Sequence, residues 1–335
     1  MGGSMASSKQ FIEKRNNIAS IVSFVRSRVE ATRLEIASAL SLSWACVSDL
    51  VSLLIEQNIL FEFKRTTQQG ESVGRTPTYL SLNPEKYFLG VDINDSGFSV
   101  AVLGIDGKKT DYRKWEPEIF GSTDELAASV CDKVSVMLRA AEDCLGIGVA
   151  MQGARAKDGG WNYPIMDKYE SFDPRPVIES RFELPVFARH DPECMLYAVM
   201  DNIGIDSMTL RVDNDIGVAA MKNGRILEVP LDLGHIYVGE EKLKTILNKG
   251  DATGDYSKFA GELGMASANL AKLLGLKKVF IVGGILKWFN RVESRFDETF
   301  RRVSSSIEYV VCDAQDASEG AARVAMAEYP IMKEV

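Results

Sequence analysis

A capped helix pair near the start of the chain constrains the fold most. Thr32-Arg33-Leu34-Glu35 has capping-box spacing: Thr32 can cap a helix start and Glu35 can reach back to it. The helix it opens runs only to about Leu40. Ser41-Leu42 then makes a tight turn, and Ser43 caps a further helix from Trp44 to about Gln57. Val47, Leu50, Val51, Leu54 and Ile55 form its apolar face, and Asn58 suits a left-handed C-cap. Ahead of this pair, helical spacing of apolar residues from Phe11 to Val25 predicts another helix over Phe11–Arg28. Helix, short helix, tight turn, helix is the helix-turn-helix pattern. Strand-like Ile59–Lys64 and Thr78–Leu82, joined by the polar loop Arg65–Arg75, add a wing.

A winged helix presents the N-terminal residues of its last helix to the major groove of DNA. Here those are Ser43, Trp44, Ala45, Ser48 and Asp49. Asp49 can accept a hydrogen bond from cytosine. Lys64, Arg65 and Arg75 on the wing are expected to meet phosphates, which gives affinity more than sequence readout. The alternative is a small helical module that contacts protein and not DNA.

The chain has 335 residues, enough for about two domains. Its 46% apolar and 26% charged residues exclude a wholly disordered chain. No run of 18 apolar residues is present, so no membrane span is expected. Met1–Met5 reads as a cloning remnant, not a signal peptide, with Met5 as the natural start. Five scattered cysteines without C-x-x-C spacing argue against a disulfide framework and for a reducing cytoplasm. Net charge is −8, unevenly spread. Residues 6–86 hold ten Lys/Arg against eight Asp/Glu, and the remainder holds 29 against 39. A mildly basic front on an acidic protein permits nucleic-acid contact.

Beyond the wing, strands are expected at Tyr87–Ile93, Phe98–Ile105, Leu145–Ala150 and Pro185–Ala188, with a helix over Glu125–Ala141. A second set follows: strands Thr209–Val212, Val218–Met221 and Val279–Val282, and helices Tyr256–Leu274 and Leu286–Arg302. Hairpins mixed with crossover helices, in two successive sets, suggest two α/β lobes with a cleft between them.

The run Gly74-Arg75-Thr76-Pro77, Leu80-Ser81-Leu82-Asn83-Pro84, then Tyr87-Phe88-Leu89-Gly90-Val91-Asp92-Ile93 resembles the repressor branch of the ROK family (repressors, open reading frames, kinases). The resemblance extends from about residue 11 to 328. It implies a winged helix joined to a sugar-kinase-like body of two actin-like, ribonuclease-H-like lobes. Domains are expected at 6–83 (winged helix), 84–195 completed by a C-terminal helix at about 316–330 (first lobe), and 196–315 (second lobe).

Measured against the family's catalytic motifs, this chain departs at several points. Where kinases carry Asp-x-Gly-Gly-Thr-Lys to wrap ATP phosphates, it reads Asp92-Ile93-Asn94-Asp95-Ser96-Gly97. Where they carry Gly-Thr-Gly-Ile-Gly, it reads Asp213-Asn214-Asp215-Ile216-Gly217. At roughly 5 Å and an effective dielectric near 20, each unscreened carboxylate–phosphate pair would cost about 3 kcal/mol. A cation bridging Asp95, Asp213 and Asp215 is the alternative use of these acids. The family's catalytic base sits in Asn-Asp-Ala-Asn, matched here by His190-Asp191-Pro192-Glu193. Glu-x-Gly-His is matched by Asp232-Leu233-Gly234-His235, and the cysteine-rich zinc loop that follows in relatives is missing. Val279–Gly284 is retained.

The resemblance thus implies a cytoplasmic transcription regulator of carbohydrate-related genes and not an enzyme, with Asp191 a vestigial base. No cofactor and no metal are expected. His190, Asp191, Asp232 and His235 are expected to line a cleft for a sugar or sugar-derived effector. The expected partners are double-stranded operator DNA and a second copy of the chain, as a homodimer or higher homo-oligomer. A protein-interaction scaffold and an active sugar kinase are the competing functions.

Overall fold

The computed structural model describes residues 3–65, 77–94, 97–153, 155–166, 168–200, 205–227, 231–314 and 316–329, with side chains from residue 13 onward, those of 231 and 232 excepted. Arg75, Asp95 and the wing tip therefore lie outside the described residues, as does the Asp232 side chain.

The chain opens with α1 (Gly3–Arg28), β1 (Glu30–Ala31), α2 (Arg33–Leu40), α3 (Trp44–Glu56), β2 (Leu60–Lys64) and β3 (Thr78–Leu82). The capping box forms as its spacing predicts. The Thr32 N–H donates to Glu35 Oε2 at 2.7 Å, and the Glu35 N–H donates to Thr32 Oγ1 at 3.2 Å. Ser41 takes the left-handed conformation that ends α2, with φ 55°. Ser43 then accepts from the Cys46 N–H at the start of α3. β3 pairs with β2 on one side and with the short β1 on the other, a strand that the apolar pattern did not reveal.

The core under these helices does not stop at the wing. Ile18, Ile21, Val25, Ile36, Val47, Val51 and Leu54 share one apolar cluster with Phe88, Leu103, Leu145, Ala322 and Ala325 of the body. Arg26 Nε also donates to the Ile105 carbonyl at 2.9 Å.

The first body sheet contains β4 (Tyr87–Asn94), β5 (Gly97–Gly104), β6 (Lys109–Trp115), β7 (Cys144–Met151) and β10 (Val186–His190), in the order β10-β7-β4-β5-β6. β4, β7 and β10 run parallel, while β5 and β6 fold back antiparallel. β8 (Trp161–Ile165) and β9 (Lys168–Phe172) make a separate hairpin. α4 (Thr123–Met137), α5 (Pro174–Phe182), α6 (Asp191–Val199) and, from the far end of the chain, α10 (Ser318–Glu328) complete this lobe. α10 lies directly on the sheet because Gly90 and Gly148 lack side chains. A Cβ on either would fall on the carbonyl oxygen of Ser318 or Ala321.

The second sheet contains β11 (Ser207–Val212), β12 (Ile216–Lys222), β13 (Arg225–Ile226), β14 (Leu231–Asp232), β17 (Lys278–Val282) and β18 (Glu308–Val311). Its path is β13-β12-β11-β17-β18, with β14 also on β12. β15 (Tyr237–Val238) and β16 (Glu241–Lys242) form a small hairpin. α7 (Leu243–Thr253), α8 (Ser257–Leu273) and α9 (Glu293–Val303) cover the second lobe. The helix expected over Leu286–Arg302 is broken. Two 3-10 turns, Gly284–Lys287 and Phe289–Arg291, precede α9. Tyr256 stacks on Trp288 with ring centroids 3.8 Å apart, and this packing holds the break.

α6 is sandwiched between the lobes. Its Cys194 and Met195 pack with Ala150 and Ala321, and its Leu196 packs with Ala219, Met221 and Phe280. The Thr209 hydroxyl of β11 donates to the Pro192 carbonyl at 2.8 Å. No described helix is long and apolar enough to cross a membrane.

Candidate functional site

Two surfaces carry the expected chemistry. On the first, α3 buries Val47, Leu50, Val51 and Leu54 and turns its other face outward. Ser43, Ala45 and Asp49 are exposed, Ser48 is half-buried, and Trp44 is 57% exposed. The residues expected to read a groove are thus together on the open side of the helix start. Lys64 is exposed at the end of β2. Arg65 departs from expectation: it is ion-paired with Glu30 and lies 4.6 Å over the Tyr79 ring. Arg33 is paired with Glu62 in the same way. The wing base therefore offers less free positive charge than its lysines and arginines suggest.

The second surface lies where the parallel strands of the two lobes end. β10 finishes at His190, which takes the N-cap position of α6, and Asp191 opens the helix. Asp191 is buried and does not stand free for proton transfer. One of its carboxylate oxygens is ion-paired with Arg211 Nη1 from β11, and the other lies 3.4 Å from His190 Nε2. Arg211 also donates from Nε to Asp213 Oδ2 at 2.6 Å. The second Asp213 oxygen accepts the Gly284 N–H at 2.5 Å, from the Gly-Gly turn that ends β17. Asp215 is held by Lys244 Nζ at 2.7 Å.

These contacts correct the view of Asp213 and Asp215 as bare carboxylates repelling phosphate. Both have cationic partners. Asp213 instead occupies the Gly284 amide with its own carboxylate. Arg211 was not among the expected site residues. Its signal was the one charged residue of β11, two residues before Asp213 and so on the same face.

Asp92 is fully buried at the end of β4 and accepts from Asn94 Nδ2 and the Ala317 N–H, both at 2.9 Å. Burial pushes its carboxyl upward, against the opposing pull of Arg211. It ties β4 to the start of α10. His190 is pushed down to about 4, first by burial and then by Arg211 and Arg155, so it is neutral at pH 7.

Asp232 pairs through its backbone with Gly217, beside the 213–217 turn. His235 is exposed on the following turn, where the Lys244 N–H holds the Gly234 carbonyl at 2.9 Å. In place of a zinc loop comes the β15–β16 hairpin, turning at Gly239. Its Glu241 bonds Lys249 and Lys258, which lower its carboxyl to about 2. Among the described residues no group of three or more His, Cys, Asp or Glu side chains is gathered to hold a metal.

No protein-family model matches the chain. A xylose repressor from Bacillus spizizenii is 22% identical over 172 residues, which is 50% of this chain and 44% of the repressor. The chain therefore matches less than half the length of that curated relative. A ROK family transcriptional regulator, described as a homologue of the Escherichia coli MLC protein, superposes with a TM-score of 0.77 at 16% identity, covering 96% of this chain and 97% of that one. A ROK family glucokinase from Streptomyces griseus, solved with glucose and AMPPNP, superposes with a TM-score of 0.56 at 14% identity, covering 72% and 98%. The kinase likeness is shorter on this side by about the length of the winged helix. The chain thus has the fold of the ROK transcriptional regulators, a winged helix built onto a two-lobed, sugar-kinase-like body.

Proposed function

We propose that this protein is a DNA-binding transcriptional regulator of carbohydrate-related genes, acting in the cytoplasm as a homodimer, with a body that senses a sugar-derived effector and transfers no phosphoryl group. Residues 6–83 form the DNA-binding unit, 84–195 with 316–330 the first lobe, and 196–315 the second. The observation that carries this reading is the α3 start, where Ser43, Trp44, Ala45 and Asp49 stand exposed on a helix-turn-helix frame. Arg211 supports the loss of catalysis. It neutralises Asp191, the residue in the position of the base, and anchors Asp213 on the Gly284 amide. The name of the B. spizizenii relative supports a sugar-linked gene set.

The test is selection of fragmented genomic DNA from the source organism by the purified full chain. Enrichment of discrete, roughly palindromic sites supports the reading. Lys64→Ala should weaken binding to all sequences and lower the salt dependence, since a phosphate contact is lost. A second reading, a protein-interaction module, draws on the absence of Lys and Arg from α3 and on the Arg65–Glu30 pair. It prevails if no fragment binds at low salt.

A further inference from the structure

β6 closes the first sheet on one side, and no strand pairs with its outer edge among the described residues. Lys109 to Lys114 are exposed and Trp115 is half-buried. An open strand edge carries N–H and C=O groups that can pair with another strand. The Tyr112 N–H marks which of these groups point outward. It donates to Asp111 Oδ1 at 2.8 Å, an acceptor on its own strand and not on β5. Amides alternate in direction along an antiparallel strand, so the Lys114 N–H points outward with that of Tyr112. The edge is also held in place. The Tyr112 hydroxyl donates to Asp316 Oδ2 at 2.7 Å, and Lys109 pairs with Glu319 of α10 at 3.0 Å.

The charges along β6 decide what it can pair with. They are Lys109, Asp111, Arg113 and Lys114. When two copies of the strand lie antiparallel about a twofold axis, outward groups meet only if the axis passes through a residue. An axis at Asp111 sets that carboxylate against itself and Lys109 against Arg113. An axis at Arg113 or Lys114 sets that cation against itself. An axis at Thr110 engages only residues 109–111 of the strand. An axis at Tyr112 engages all seven residues and opposes no like charges. Asp111 then faces Arg113 twice, Lys109 faces Trp115 twice, and Thr110 faces Lys114 twice. Asp111 and Arg113 fall at the non-hydrogen-bonded positions, where Cα atoms approach to roughly 4.5 Å and side chains are closest. Neither is locked into its own chain. The Asp111 pair with Arg139 is long, at 3.6 Å, and half exposed on both sides, so it contributes little. Arg113 rests on the Trp115 ring at 5.0 Å.

We propose that two copies of this chain pair along β6, antiparallel about a twofold axis at Tyr112, and so join their first-lobe sheets into one. The proposal deepens the reading of the protein as a dimeric regulator by naming the surface that makes the dimer, and α3 takes no part in it. On pairing, the Tyr112 N–H exchanges the Asp111 carboxylate for the second copy's Tyr112 carbonyl, and Asp111 turns to the second copy's Arg113. Sedimentation equilibrium of the full chain tests this. A short edge makes a small interface, so the series should span about 1 to 200 µM. Arg113→Asp sets aspartate against Asp111 at both pairs, and Asp111→Arg sets arginine against Arg113. Each should weaken the dimer by about tenfold or more. The two substitutions together exchange the charges in place and should restore the dimer, whereas simple damage to β6 would accumulate. Hydrogen exchange of the unaltered chain gives a readout free of substitution: the Tyr112 and Lys114 amides should slow as concentration rises through the dimer range. A chain monomeric throughout that range overturns the proposal. So do single variants that dimerise like the unaltered chain, a double variant no better than the singles, or β6 amides indifferent to concentration. DNA selection with the same preparations separates the two readings. DNA binding by a chain whose dimer ignores the charge reversals sinks this proposal alone. Dimers broken and restored at β6 without any DNA binding sink the regulator alone.

Discussion

Arg211 stands where carboxylates from both lobes converge. Asp191 and Asp213 close on it directly, and the buried Asp92 lies within its field. Truncating one partner of such a buried pair leaves a charge without compensation. Arg211→Met should therefore cost about 3 to 5 kcal/mol in urea unfolding. Asp191→Asn added to it should cost less than the two single changes summed, which a double-mutant cycle reads directly. Strict additivity would mean that the pair does not form. His190 supplies a second residue-scale test. Its folded value, pushed down to about 4, lies below the free imidazole value of about 6.5. The unfolded chain thus takes up the proton first, so stability should fall as pH drops from about 6.5 toward 4. Proton NMR of the chain's two histidines should show one resonance titrating near 4 and absent in His190→Asn. Arg155→Gln should move that resonance upward. The Arg211–Asp213 pair was readable in principle, since residues two apart on a strand share a face. The Lys244–Asp215 pair was not, because 29 residues and a hairpin separate the partners.

At the scale of elements, local signals carried far. The capping box, the left-handed Ser41 and the Ser43 cap act within a few residues, so α2 and α3 emerged with nearly their full bounds. Thr32→Ala should cost about 1 kcal/mol, because one capping acceptor is lost. Elements set by distant packing were less legible. An apolar pattern over 286–302 reads as one helix, yet the Asp213 contact on Gly284 and the Tyr256–Trp288 stack divide it. The seating of α10 is also non-local. Gly148→Ala would set a methyl group on the Ala321 carbonyl, where neither backbone can yield. A loss of about 3 kcal/mol in denaturant unfolding is expected, well beyond the Thr32→Ala effect. A loss under that of Thr32→Ala would show that α10 sits farther from the sheet.

Across the whole molecule, the winged helix and the first lobe share one core, and α6 packs on both body sheets. Under the proposed function, a ligand that favours one lobe arrangement over another would have a packed route to α3. Under the proposed function, with Arg211 paired to Asp191, sugar-dependent ADP release should stay at background. Turnover abolished by Asp191→Asn would reveal an active base despite Arg211.

The central claim is that α3 docks on DNA as half of a symmetric pair. Nuclease footprinting of the full chain on its selected site tests this most directly. Two protected half-sites should appear, with centres about 10 base pairs or a small multiple apart, and Ser48→Ala should change base preference within each half. Fragments that are never protected, or protection spread evenly without half-sites, would contradict the account.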